Sequence, residues 1–420
     1  MKRTRIAAID AGASKVSTVM ADRNGNGDLR ILGIGTAPSS GLEKGIVVDA
    51  RQAAASVSQS VRKAEKMAGY KLKSAYVGVS GTNMSSLNNH GVISIPRNDQ
   101  VVHAADRKRV LEVAQSVEVP SNQRLLHVIP RAYSLDEQRN INNPVGMHGF
   151  RLNVETHIVT ATTTSVQSLT KCVMSMGVGI EGLVLKSLAS AEAVLTEDER
   201  QDGVVLADIG GDTTEIAVFK DGSVCHTSTL PVGGYHITND VSIGLGLPFD
   251  LAEVIKKKYG NAIAPENGSY NITEDNCSIS YDDLCQVINA RLEELFRLIL
   301  LQIPQTDYAR TIPSGLVLTG GSCNLAGIAE LGQAITRLPV RVGTPVSSNG
   351  NDAILRDPAY ATSVGLLYWE INSQSSRDSW ASRNGFGVLL PRWLSYFSYR
   401  NSNLNIQSKE KEHGENQLRA

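Results

Sequence analysis

Two aspartates occupy the same place in two copies of one short pattern, and that pattern is where this sequence can do chemistry. The clearer copy, Val204 to Phe219, places Asp208 ahead of Gly210, Gly211, Asp212, Thr213 and Thr214 and closes with a second apolar run. The other copy begins at Ile6 and places Asp10 ahead of Gly12, Ala13, Ser14 and Lys15. β-Branched runs on both sides of a small-residue turn predict a hairpin between buried strands. Glycines let backbone N–H groups approach an anion closely, and Ser14, Thr213 and Thr214 add hydroxyl donors. A carboxylate just before such a turn would repel bare phosphate. Asp10 and Asp208 therefore imply a divalent cation in between, with magnesium held partly through water as the natural choice. Lys15 either neutralises phosphate charge or is a solvated strand-end lysine.

The elements that must position these turns are also duplicated. After the first copy come the turn Asn24-Gly25-Asn26-Gly27 and a strand from Leu29 to Ile34; after the second come Asp221-Gly222 and a strand from Ser223 to Leu230. Two such meanders predict two similar lobes that grip a phosphate chain and its metal from both sides. A helix from Asp49 to Ala68, stopped by Gly69, and a strand ending at Ser80-Gly81 extend the first lobe. Residues 82–161 then change character, reading as a small α+β insertion. Further on, Leu316-Val-Leu-Thr-Gly320-Gly321-Ser322 reads as a buried strand, a glycine turn and a helix start, which directs N–H groups at a ligand. Glu253 and Lys256, three apart on a predicted helix, share a face. The stretch from Tyr281 to Ile303 is a helix with apolar residues at helical spacing and Arg291 on another face.

Composition narrows the classes. With 420 residues and 41% hydrophobic content the chain can bury a sizeable core, and a formal net charge of −1 offers no footprint for nucleic acid. Five cysteines without ligand spacing imply neither zinc nor a disulfide framework. No apolar run is long enough for a membrane-spanning helix, and the basic start at Met1 is too close to Asp10 to hold a secretion signal. P-loop and dinucleotide glycine patterns do not occur.

The two hairpins resemble those of the actin, Hsp70 and sugar-kinase superfamily. The inserted block, with His127-Val-Ile-Pro130, Pro144-Val-Gly146-Met147 and Arg151-Leu152, resembles that of the bacterial cell-division family FtsA. So do the stretches Gly182 to Ala191, Pro231-Val-Gly233-Gly234 and Leu251 to Gly260. The similarity runs from Arg5 to about Tyr368 and implies an α/β, two-lobed actin-like ATPase fold, a duplicated mixed sheet flanked by helices with an inserted small α+β domain. It divides the chain into a first lobe (1–81, completed by 162–190 and 366–380), the insertion (82–161), a second lobe (191–245 and 310–365) and its helical subdomain (246–309). A linker with an amphipathic helix (381–400) and a polar tail (401–420) follow.

The resemblance also implies ATP with Mg2+ as ligands. Asp10 and Asp208 would carry the magnesium shell, and Gly12 to Lys15 and Gly210 to Thr213 the phosphates. Gly233 and Gly234 would border the site, the face of Glu253 and Lys256 would meet ribose and adenine unless the two merely pair with each other, and Gly320, Gly321 and Ser322 would flank the nucleoside. Arg291 would dock the C-terminal tail of the tubulin homologue FtsZ. Leu390, Trp393, Leu394 and Phe397, at i, i+3, i+4 and i+7, form an apolar stripe that resembles the family's amphipathic membrane anchor, the alternative being a helix docked on the protein's own surface. The implied function is a filament-forming protein, at most a slow ATPase, that tethers the FtsZ ring to the cytoplasmic face of the membrane at the division septum and helps recruit later division proteins. Asp212 departs from the family, which commonly has a third glycine there, and adds negative charge beside the proposed phosphates. A small-metabolite kinase and a pilus-assembly relative of FtsA are the alternatives on this fold. A chaperone of the Hsp70 type would need more than the fifty or so residues beyond Tyr368.

Overall fold

Apolar, β-branched runs build two sheets, and glycines decide how closely helices lie on them. The computed structural model describes residues 4–24, 29–263, 270–275, 277–303, 312–346 and 353–369; the expected anchor residues Leu390, Trp393, Leu394 and Phe397 lie outside them. β1 (Thr4–Ala11), β2 (Lys15–Arg23) and β3 (Leu29–Pro38) form an antiparallel meander. A two-residue hairpin, β4 (Leu42–Glu43) and β5 (Ile46–Val47), leads to α1 (Ala50–Ala68) and β6 (Ser74–Val79). The Asp49 side chain caps α1 by accepting from the Arg51 and Gln52 amides, and Gly69, at φ 78°, ends it. A Cβ on Gly33 or Gly35 of β3 would lie 2.2 Å from the Ala64 carbonyl or 1.9 Å from that of Ser60. The absence of side chains there lets α1 pack directly on the strand.

The chain then leaves the lobe for the insertion. β7 (Met84–Ser94), α2 (Ala104–Gln115), β8 (Gln123–Leu135), β9 (Gln138–Ile141) and β10 (Arg151–Thr162) form a four-stranded sheet in the order β7-β10-β8-β9. α2 buries Val110 and Ala114 against Leu152 and Val154, so the insertion has a core of its own. Its first strand starts at Met84, seven residues ahead of the expected Gly91, because polar residues such as Asn88 and Asn89 hide the strand pattern. α3 (Thr163–Met174) and β11 (Gly179–Leu185) return to the first lobe, and α4 (Lys186–Val194) and α5 (Glu197–Asp202) lead out of it.

The second lobe repeats the first. β12 (Val204–Ile209), β13 (Thr214–Lys220) and β14 (Ser223–Leu230) make the meander; α6 (Gly234–Gly244), α7 (Phe249–Tyr259), the hairpin β15 (Asn271–Glu274) and β16 (Cys277–Ser280), and α8 (Tyr281–Gln302) follow. β17 (Leu316–Thr319), α9 (Ile328–Thr336) and β18 (Val340–Val342) complete it. The two five-stranded sheets read β3-β2-β1-β6-β11 and β14-β13-β12-β17-β18, each with an antiparallel meander followed by two parallel strands. Between them α4 crosses a helix spanning 361–369. A Cβ on Gly365 would lie 1.7 Å from the Ala189 carbonyl, so the two backbones touch at the crossing. Leu188, Leu366 and Leu367 seal it against Val19 of one sheet and Leu206 and Phe219 of the other.

The insertion meets both lobes through an apolar cluster that takes in Val159, Met84, Leu126 and Ile129, and through polar groups. Ser86 Oγ donates to the Thr227 carbonyl at 2.7 Å and Asn88 Nδ2 to that of Cys225 at 3.0 Å, capturing carbonyls of the edge strand β14. His157, buried, lies 2.8 Å from Asn88 Oδ1 and 3.1 Å from Thr227 Oγ1, while His127 Nε2 accepts from the Leu185 amide at 3.0 Å. Burial, reinforced by the positive fields of His226, Arg131 and His127, pushes His157 down to about 3. An unfolded chain takes up that proton near the ordinary histidine value of ~6.5. Below it the unfolded state binds more protons than the folded one, so stability falls with falling pH from ~6.5 toward the folded value and is unaffected above. From pH 6.5 to 5 this removes about 2 kcal/mol. Urea unfolding of His157→Gln should show a pH slope shallower by about that amount; equal slopes in the two proteins would refute the assignment.

Candidate functional site

The duplicated meanders bring their first turns face to face. Each turn closes in the same way: the Gly12 amide donates to the Lys15 carbonyl at 3.0 Å and the Gly210 amide to the Thr213 carbonyl at 2.9 Å. A Cβ on Gly211 would come within 3.4 Å of Ser14 Cβ, so one hairpin tip lies against the other. Between them is a cavity of about 350 Å³, in the range of sites that bury a small molecule. It is lined by Asp10, Gly12 to Lys15, Asp208, Gly210 to Thr213, Gly234, Glu253, Lys256 and Gly320 to Ser322. The sequence-derived residues thus converge, apart from Thr214 and Gly233. Gly233 sits a layer behind, where a Cβ would press on the Gly210 carbonyl at 2.8 Å.

Three placements differ from the reading of the sequence. Thr214, expected as a hydroxyl donor to the ligand, is fully buried and donates to the Val232 carbonyl at 2.8 Å, because the first residue of β13 turns inward. Lys15 is not a solvated strand end: its ammonium lies 3.4 Å from the centroid of the Tyr360 ring at the cavity wall, and burial lowers its pKa against the pull of Asp10, Asp357 and Asp208. Asp212 turns its carboxylate onto the backbone amide of Lys44, across the cleft.

At the floor of the cavity the sequence hid two charged groups. Lys186, the first residue of α4, is buried with its ammonium 2.9 Å from Asp10 Oδ1 and 2.8 Å from the Ala11 carbonyl. Burial alone would lower its pKa, but Asp10, Glu215 and Asp208 outweigh it and leave it raised. Glu215, buried on β13, accepts from Thr213 Oγ1 at 2.8 Å; burial and the neighbouring Asp208 raise its pKa. The signals were present in outline. Lys186 is the one charge between Gly182 and Ala191, and Glu215 is the one acid of β13, directly ahead of the apolar run Ile216 to Phe219.

Asp208 is held by Ser190 Oγ at 2.5 Å and Thr362 Oγ1 at 3.0 Å, one from each crossing helix; its pKa is raised by burial. Gly320, at φ 91°, passes so close that a Cβ would lie 2.5 Å from Asp208 Oδ1, and Ser322 Oγ donates to the Gly210 carbonyl at 2.9 Å. On α7, Glu253 pairs with Lys256 at 2.7 Å and Lys257 at 2.9 Å, and Lys256 also donates to the Gly234 carbonyl at 2.9 Å. The local ion pair and the shared face are therefore both present, and the pair forms one wall.

The cavity lining carries five acids (Asp10, Asp208, Asp212, Glu215, Glu253) and four lysines (Lys15, Lys186, Lys256, Lys257). That balance is wrong for a naked polyanion and right for one accompanied by a cation. No cluster of three or more His, Cys, Asp or Glu that could hold a metal occurs among the described residues. The buried oxygen donors Asp10 and Asp208 instead suit an ion that keeps several waters and takes remaining ligands from phosphate, as magnesium does. Arg291 lies away from the cavity on α8, pairing with Asp240 of α6 and with Glu294 at 2.5 Å.

Duplicated mixed sheets, linking helices that cross between them and facing turns around one cavity define the actin-like ATPase fold, here with a small domain inserted in the first lobe. Residues 205–365 match the sequence model described as "Cell division protein FtsA" and residues 81–160 that described as "SHS2 domain inserted in FTSA". The chain is 39% identical over 377 residues to the cell division protein FtsA of Pseudomonas aeruginosa, covering 88% of this chain and 90% of that one. It belongs to the FtsA family of cell division proteins. Among solved structures, a chain of the PilM-PilN type IV pilus biogenesis complex superposes with a TM-score of 0.64 at 16% identity, over 88% of this chain and 99% of that one. MreB 5 of Spiroplasma citri bound to AMPPNP superposes with a TM-score of 0.55 at 15% identity, over 90% of this chain and 99% of that one.

Asp208→Ala should remove a carboxylate from the cavity floor and leave Ser190 and Thr362 without their acceptor, and Gly211→Val should wedge a branched side chain between Tyr235 and Ser14. Titration with a fluorescent ATP analogue and magnesium should show binding at least about tenfold weaker in each, equivalent to 1.4 kcal/mol. Wild-type affinity in both variants, with unchanged circular dichroism, would remove the site.

Proposed function

We propose that this chain binds ATP with magnesium between its lobes, polymerises, and tethers the FtsZ ring to the membrane surface at the division septum, helping recruit later division proteins. The observation that carries the reading is the pair of matched turns, each preceded by a buried aspartate, facing across one cavity. In it Asp10 and Asp208 hold the ion, the amides of Gly12 to Lys15 and Gly210 to Thr213 take the phosphates, and Gly320 to Ser322 with Glu253 and Lys256 take the nucleoside. Glu215 is the acid best suited to orient a water toward a phosphate, so hydrolysis, if slow, would run through it.

Membrane attachment rests on the apolar stripe of Leu390, Trp393, Leu394 and Phe397. Burying all four side chains would contribute roughly 6–12 kcal/mol as an upper bound, of which an interface captures a part. One helix binds lipid weakly, and a filament multiplies it by raising the effective concentration of neighbouring helices. ATP then controls membrane residence through assembly. In liposome sedimentation, ATP should increase pelleting of the full chain, and truncation after Asn384 should abolish it; undiminished pelleting of the truncated chain, or no response to ATP, would refute this.

The FtsZ tail, acidic and extended, is expected on α8. Arg291 is already paired with Asp240 and Glu294, so docking there exchanges one carboxylate partner for another and weakens as salt rises. Arg291→Glu should abolish capture of an FtsZ-tail peptide by membrane-bound protein while leaving ATP-dependent lipid binding intact. Full capture by the variant would exclude this docking site.

A further inference from the structure

Asp212, on the second-lobe hairpin, accepts a hydrogen bond from the backbone amide of Lys44, 168 residues away in the first lobe. Neither partner is positioned by chance. Lys44 and Gly45, at φ 48° and 76°, are the two central residues of the β4–β5 turn, a conformation that fixes where the Lys44 amide points. The turn is itself pinned, since a Cβ on Gly45 would lie 2.7 Å from the backbone of Gly81, where the chain enters the insertion. The hairpin that carries Asp212 is held by three backbone bonds: Gly210 to the Thr213 carbonyl at 2.9 Å, Gly234 to that of Gly210 at 2.9 Å and Tyr235 to that of Gly211 at 2.6 Å. Asp212 and Gly45 both line the cavity, together with the hairpin residues Gly12 to Lys15. An anionic oxygen pair of the protein's own therefore occupies, on the wall where the hairpin tips meet, a backbone donor from the opposite lobe.

A phosphoryl group has the same requirement for backbone amides and carries the same sign of charge. With the nucleoside at Glu253 and Lys256, lengthening the phosphate chain extends it along the hairpins toward their tips, and the third phosphate is the one that competes with Asp212. Resting on the nucleotide reading above, we propose that Asp212 is a specificity-determining residue that clasps the lobes through the Lys44 amide and reduces the preference for nucleoside triphosphate over diphosphate. Charge and clasp separate by substitution. Asp212→Asn keeps an acceptor for the amide and loses the charge, whereas Asp212→Gly loses both.

Two measurements on the full chain test this. In hydrogen–deuterium exchange without nucleotide, the segment 41–47 should exchange at least about fivefold faster in Asp212→Gly than in wild type, with Asp212→Asn close to wild type, because the lost bond is what protects the amide. In competition titrations with magnesium, both variants should raise the ratio of ATP to ADP affinity about tenfold, or 1.4 kcal/mol. Unchanged exchange in Asp212→Gly overturns the clasp, and an unchanged affinity ratio in Asp212→Asn overturns the specificity role. Absence of both ATP and ADP binding in wild type overturns the nucleotide reading instead, and the specificity role falls with it.

Discussion

The arrangement depends on a buried ammonium. Lys186 sits at the first position of α4, where the positive end of the helix disfavours a cation, and it is buried, which disfavours it further. It is tolerated there because Asp10 pairs with it and Asp208 and Glu215 lie near enough to raise its pKa. Those acids come from β1 of one sheet and β12 and β13 of the other. The lysine therefore links acids of both sheets, and removing Asp10, its direct ion-pair partner, leaves a buried charge without that partner, a loss of about 3–5 kcal/mol in comparable buried pairs.

The same floor explains why the crossing helices are so close. Ser190 of α4 and Thr362 of the helix spanning 361–369 donate to one oxygen of Asp208, and to reach it together the helices must nearly touch. Gly365 against the Ala189 carbonyl supplies that approach. A side chain at this position would separate the helices and break the paired donation to Asp208, so packing and charge are two faces of one constraint. The crossing is therefore fixed by packing and by charge at the same point between the sheets.

What could be read from the sequence was what is local. Asp-x-Gly followed by a hydroxyl is a turn written in consecutive residues, and its repetition exposed the duplicated lobes and their shared cavity before any coordinates. Glu253 and Lys256, one helical turn apart, were legible for the same reason. The partners of Asp208, by contrast, stand 18 and 154 residues away, and the Lys44 amide 168 from Asp212. No spacing rule reaches across such intervals. Arg291 was legible as a charge off the apolar face of α8, but its pairing with Asp240 depends on how α6 packs beside that helix.

The insertion extends this logic outward. It touches the first lobe through His127 and the second through Ser86, Asn88 and His157, so it bridges the two lobes. The contacts to the second lobe include hydrogen bonds to edge-strand groups of β14, each worth about 1 kcal/mol net, beside apolar packing in which Val159 of the insertion and Val224 of β14 share one buried cluster. An apolar joint would resist opening in proportion to its buried area. The insertion is held to the second lobe by both kinds of contact, the apolar cluster supplying buried area and the directional hydrogen bonds of Ser86, Asn88 and His157 fixing its orientation.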